Sequence, residues 1–342
     1  MATTVALPKD LGVMAQKAEA VVLAKVLKIT YGPAFTTWVQ FSPESLLKDP
    51  GLGDSFWVEL PGGEEGELGM AVAGMPRFLR GETYLLFLQR LRPGFWQPAT
   101  AALGVFHLQG NKRLVPVQEA QEVGVLAGDA SSFLTPYDRT LLLLELNQAL
   151  AGRTYDLSRA ALPKDASPLA PPNCVRMTHS DGLPLRWFGF ETGTAISLAA
   201  TTPGQVGLAD GGAGAVSAGT AAWRTYTAAK INIQYAGVQP RNLDCGQGNR
   251  GGEVWFNDPC GQIADLVGCS GTLAFGGSYY SLSTQTYDGT LWHPGYSGGT
   301  AGPFVVVNNG AQCVGSTNFS EVLTHEIGHT VFFGHHTDPA AV

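Results

Sequence analysis

Four of the chain's seven histidines fall in one stretch, HEIGHTVFFGHH, at residues 325–336. The approach to it reads as a helix start: Asn318 can cap, Glu321 can complete a capping box, and Val322 and Leu323 follow. His325 and His329 then lie inside a helix, where positions four apart share a face at about 6 Å and two imidazoles can grip one metal ion. Leu323, Ile327 and Val331 fall on roughly the opposite face and give the helix a side to bury.

Two histidines make half of a tetrahedral site. A catalytic zinc ion (Zn2+) takes three protein ligands and keeps the fourth position for water. Glu326, beside the first ligand, is placed to take the proton of that water, whose pKa the metal lowers towards ~7. The third ligand has to come from outside the helix, because His335 on a continued helix would stand ~15 Å along the axis from His325. The chain must therefore turn back between His329 and His335.

The terminal HEIGHTVFFGHHTDPAAV resembles the zinc-binding consensus of the metzincin metallopeptidases. Among them it is most similar to the matrixins, whose pattern is H-E-x-x-H-x-x-G-x-x-H, then a Ser-x-Asp-Pro-like stretch and a methionine turn. Matched residue by residue, His325, His329 and His335 stand at the three metal ligands and Glu326 at the general base. Other segments are similar in order: PLRW opening the domain, GAVSAGTAAW as first helix, TLAFGG as substrate-side edge strand and VVVNNG before the active-site helix. The resemblance covers about residues 171–342 and implies a mixed α/β catalytic domain that hydrolyses peptide bonds. It also implies a calcium ion (Ca2+) or a second zinc in some members.

The sequence departs from the pattern twice. The family's glycine falls on Phe332, at a reversal that costs a non-glycine residue ~1 kcal/mol or more. Gly334 is an alternative place for that turn, and His336 rather than His335 would then face the metal. By the same pattern the methionine of the turn would come directly after Val342. The chain thus reads as a catalytic domain cut before the floor of its site, with the wall of the specificity pocket outside it.

At 342 residues and 44% apolar composition the chain has room for two cores. Residues 1–125 hold short runs rich in Val, Leu, Phe, Tyr and Trp between Gly and Pro, including 20–30, 36–41, 55–60, 82–91 and 105–109. That spacing predicts a small all-β barrel or sandwich, with residues 7–20 adding a short helix. Residues 136–151 predict a helix stopped at Gly152, and ALPKDASPLAPPN at 161–173 an interdomain linker. The expected fold class is α+β and multidomain: an accessory β domain (1–125), a helix and Pro/Ala-rich linker (126–170), and the matrixin-like domain (171–342).

Charged residues make up 14% of the chain, the formal net charge is −7, and no basic run could neutralise a phosphate backbone. Nucleic acid is not expected as a partner. No apolar stretch approaches the ~18 residues that span a bilayer, and MATTVALPKDLG lacks the layout of a signal peptide. Cys174, Cys245, Cys260, Cys269 and Cys313 all lie in the Gly- and Ser-rich second half, which reads as a disulfide-bearing, extracytoplasmic domain with one cysteine left over.

Cys174 precedes the catalytic segment, where matrixin propeptides place a zinc-binding cysteine, but its neighbours do not match and a disulfide is expected. Asp244, Asp258, Asp265 and Asp288 sit in loops that could hold Ca2+, yet their spacing fits no recognised loop and points to solvated turns. His107 reads as a packed strand residue, and His179 and His293 as unassigned loop residues. The resulting expectation is a secreted zinc metalloendopeptidase acting on protein or peptide substrates. The alternative is an inactive metzincin-like module, for adhesion or inhibitor-like binding, whose front β domain carries the function.

Overall fold

Apolar strands interrupted by Gly and Pro build the first half, as their spacing predicts. The computed structural model describes residues 2–163, 176–225, 230–242, 244–245, 251–298 and 301–334. The first half runs β1 (Ala2–Ala6), α1 (Leu11–Lys17), β2 (Ala20–Gly32), β3 (Thr36–Lys48), β4 (Phe56–Pro61), β5 (Gly63–Glu65) and β6 (Leu68–Val72). It continues through β7 (Thr83–Arg92), β8 (Phe95–Ala102), β9 (Val105–Gln109), β10 (Arg113–Pro116), β11 (Val123–Ala127), β12 (Tyr137–Asp138) and α2 (Arg139–Leu150). The second half comprises β13 (Leu185–Arg186), β14 (Ile196–Thr202), α3 (Ala213–Arg224), β15 (Ile233–Pro240) and β16 (Glu253–Trp255). It ends with β17 (Gly271–Ser281), β18 (Gln285–Tyr287), β19 (Thr290–Pro294), β20 (Phe304–Val307) and α4 (Ser316–His329). The fold is mixed α/β and mostly β.

In the first half β7, β2, β3, β4 and β8 are neighbours in that order, and β8 pairs back on β7, so these strands close into a barrel. Val39, Phe41, Phe87 and Phe106 fill the core. Asp10 caps α1 by accepting the Val13 N–H at 2.9 Å, and Leu11 and Met14 turn inward. His107 is not a packed core residue: a ring nitrogen lies 3.0 Å from Glu82, and its ring stacks on Tyr84. β9 is paired on both sides, but the His107 side chain stays 25% exposed and so reaches the Glu82 carboxylate.

The second sheet has a parallel part, β15-β14-β16-β20, and an antiparallel β17 beside β20. It does not stop at β17. β1 pairs antiparallel with one stretch of β17, matching Thr4 with Ala274, Val5 with Thr272 and Ala6 with Gly271. β6 pairs antiparallel with the next stretch, Leu68–Val72 against Gly277–Ser281. β11 adds beyond β1, and β5 beyond β6. The sheets therefore do not divide at residue 125, because four strands of the first 127 residues extend the sheet of the second half. The expected edge strand TLAFGG lies in β17, but its edge is covered.

Helices α3 and α4 pack together on the sheet. Gly219 makes the close approach possible: a Cβ there would stand 3.0 Å from the Thr324 Cα and 2.8 Å from the Ile327 side chain. Two disulfides, Cys245–Cys260 and Cys269–Cys313, resolve a pairing that spacing left open; Cys174 lies outside the described residues. Cys269–Cys313 closes a span of 44 residues and ties the approach to β17 to the turn before α4. Replacing both cysteines by serine is expected to lower stability by about 2–5 kcal/mol, read as a fall in the urea midpoint.

Candidate active site

α4 begins at Ser316 directly after Gly315, whose φ is 84°, and no side chain caps it. Asn318 and Glu321 therefore lie within the helix and do not form the expected capping box. The turn before it holds the disulfide at Cys313, and the chain enters the helix three residues earlier. Leu323, Ile327 and Val331 are buried as expected. Gly276 on β17 is what lets α4 lie so close to the sheet, since a Cβ there would meet the Glu326 carbonyl oxygen at 2.1 Å.

His325 and His329 share a face, with ring centroids 5.2 Å apart. The Phe333 carbonyl lies 2.6 Å from His329 Nδ1, so that nitrogen carries the proton of the neutral ring. Burial holds the His329 pKa well below its ordinary value, which keeps the ring neutral and able to ligate. Burial also pushes Glu326 up to about 8, although hydrogen bonds from Thr4 oppose the shift.

The face does not open onto a cleft as the helix pattern predicts. Glu326 is 0% and His329 1% exposed, with β1 packed on Glu326, while His325 is half-buried. The Thr4 N–H and hydroxyl both donate to Glu326 Oε1, at 2.7 and 2.5 Å. Glu326 Oε2 has no hydrogen-bond partner among the described residues.

The chain reverses at Phe332, with φ of 63°, and not at Gly334. A phenylalanine tolerates the left-handed backbone here because its side chain is fixed elsewhere. It is buried and stacks on Trp187 at 5.7 Å, while its carbonyl accepts the Met177 N–H. Trp187 Nε1 and Ser278 Oγ both donate to the Thr330 carbonyl and hold the end of the helix. Phe332→Gly relieves ~1 kcal/mol of backbone strain but removes a buried aromatic worth ~3–5 kcal/mol. A net loss of about 2–4 kcal/mol is expected in thermal or urea unfolding. His335 and His336 lie outside the described residues, so the third ligand rests on the pattern alone.

A second cluster joins residues that spacing left apart. Ligand atoms of His179, Asp181 and His293 lie within 4.8 Å of one another, so the group could hold a metal ion. His293 is not an open loop residue: it is 2% exposed at the base of the β18–β19 hairpin. Burial opposes ionisation of Asp181, but the Leu183 N–H and both histidines outweigh it and hold the carboxyl well below the usual range. The His179-Ser180-Asp181 spacing was a legible signal; nothing around His293 in sequence pointed back to it. Of the four loop aspartates, none belongs to this group. Asp258 instead accepts the Gln262 and Ile263 N–H groups inside a buried turn, where burial pushes it up to about 6.

No protein-family model matches the chain, and no curated protein matches it. The site itself offers two imidazoles and a carboxylate on α4, next to β17.

Proposed function

We propose that the chain is a zinc-dependent endopeptidase whose own first half closes its cleft. The observation that carries the reading is the placing of His325, Glu326 and His329 on α4 directly behind β17, the strand along which an extended peptide could add. The donor set of two imidazoles and a carboxylate suits zinc, and the Phe333 carbonyl holds the His329 ring through Nδ1. His335 is the proposed third ligand. Bound zinc would supply a water of lowered pKa and a charge for the carbonyl oxygen. Glu326 would accept the water's proton at a carboxylate oxygen and pass it to the leaving amine.

In this conformation the same oxygen that would act as base accepts two hydrogen bonds from Thr4. β1 and β6 between them occupy the strand edge that a substrate would need. The first half thus acts as a built-in competitor for the cleft. The same closure is what favours a second reading, a module that binds zinc without hydrolysing anything. Zinc content and peptide hydrolysis of a chain whose β1 has been displaced by Thr4→Arg separate the two.

Two disulfides support an extracytoplasmic location. No helix among the described residues is long and apolar enough to cross a membrane. Protein or peptide substrates follow from the proposed chemistry and from strand addition along β17.

A further inference from the structure

Each histidine of the second cluster has one ring nitrogen committed to an acceptor. His293 Nδ1 lies 3.1 Å from the Ser281 carbonyl and 3.0 Å from the Ser283 carbonyl, so it carries a proton. His179 Nε2 lies 3.0 Å from Glu64 Oε1, which likewise calls for a proton there. The remaining nitrogens, His293 Nε2 and His179 Nδ1, face the two oxygens of Asp181 at 2.9 and 3.0 Å. The Asp181 backbone N–H also points at His179 Nδ1, at 3.4 Å, as it would at a lone pair.

Two ring nitrogens and one carboxylate therefore converge on a single point, where a divalent cation would exchange the two contacts to Asp181 for three ligand bonds. An N–H held by a carboxylate or carbonyl on the far side of the ring is the outer-shell support that metal-binding histidines use. Two nitrogens and one carboxylate are a donor set for zinc or a similar first-row ion and a poor one for calcium. Asp181 is 42% exposed, which leaves that side open to a water ligand.

We propose that His179 Nδ1, His293 Nε2 and Asp181 form a divalent transition-metal site of the zinc class, separate from α4, with Glu64 orienting His179. The site's reach is the reason it matters. Glu64 belongs to β5, which with β6 extends the sheet beyond β17, whereas the three ligands belong to the second half. Metal occupancy therefore strengthens a bridge from the second half to the strands that cover β17. The proposal does not depend on the peptidase reading.

Metal content decides it, measured on the full chain by elemental analysis after zinc loading and dialysis. The parent is expected to lose one zinc equivalent on Asp181→Ala and on His293→Ala. A His325→Ala/His329→Ala chain is expected to keep one, and to show cobalt ligand-field absorption that Asp181→Ala removes. Glu64→Gln, which touches no metal, should weaken zinc affinity by ~10–100-fold without abolishing binding. If neither Asp181→Ala nor His293→Ala changes zinc content in chains whose circular dichroism is native, the cluster is only an ion-pair network and the proposal fails. Loss of the zinc assigned to α4 would instead bear on the peptidase reading, since the two sets of variants do not overlap.

Discussion

Thr4→Arg is expected to raise hydrolysis of a fluorogenic peptide by on the order of 10- to 100-fold over the parent chain. Thr4 is 2% exposed, and its hydroxyl and N–H both serve Glu326 Oε1. An arginine side chain far exceeds the space of the buried threonine it replaces, and overpacking such a site costs ~1–3 kcal/mol, at a tenfold population change per ~1.4 kcal/mol. The strand should leave the cleft before the barrel unfolds, because the barrel closes through β7 and β8 without β1. Amide exchange along Gly271–Ala274 reports whether β1 has left. Faster exchange there with unchanged hydrolysis would show that closure by β1 does not gate the chemistry. Thr4→Val keeps the backbone donor and the strand, and should change hydrolysis far less.

Glu326→Gln placed in the opened Thr4→Arg chain is expected to lower turnover by ~10²–10⁴-fold while leaving zinc content unchanged. Glutamine keeps the shape of the side chain and lacks the oxygen that takes a proton. His325→Ala in the same background should remove the α4 zinc and activity together. A glutamine variant that loses its zinc would place Glu326 among the groups that hold the metal. A zinc-loaded, opened chain with no hydrolysis at all would favour the binding-module reading.

Local signals in this sequence carried far. The strand runs of the first half, the helix that stops before Gly152 and the buried stripe Leu323, Ile327, Val331 all follow from periodicity and turn residues, which act over a few positions. Phe332 is the sharpest case: a pattern that wants glycine marked a left-handed backbone, and φ is 63° there. What stayed hidden depends on long-range pairing. Nothing in TTVA says that Thr4 meets Glu326, 322 residues away, since strand partners are chosen by sheet edges that no window of sequence contains. The same holds for His179 and His293, which meet only because β13 pairs with β19. The capping box failed for a related reason, as a distant disulfide partner fixes where α4 begins.

The strand in the cleft is joined to the barrel behind it by only a short stretch, Leu7 to Asp10, before α1. A competitor tethered in this way meets its target at an effective concentration in the millimolar range, whatever the concentration of the protein. Dilution cannot release it, and a peptide present at micromolar levels competes at a disadvantage of about a thousandfold. A single break in that stretch would change the regime altogether, because β1 would then be an ordinary dissociable ligand that is lost once it diffuses away.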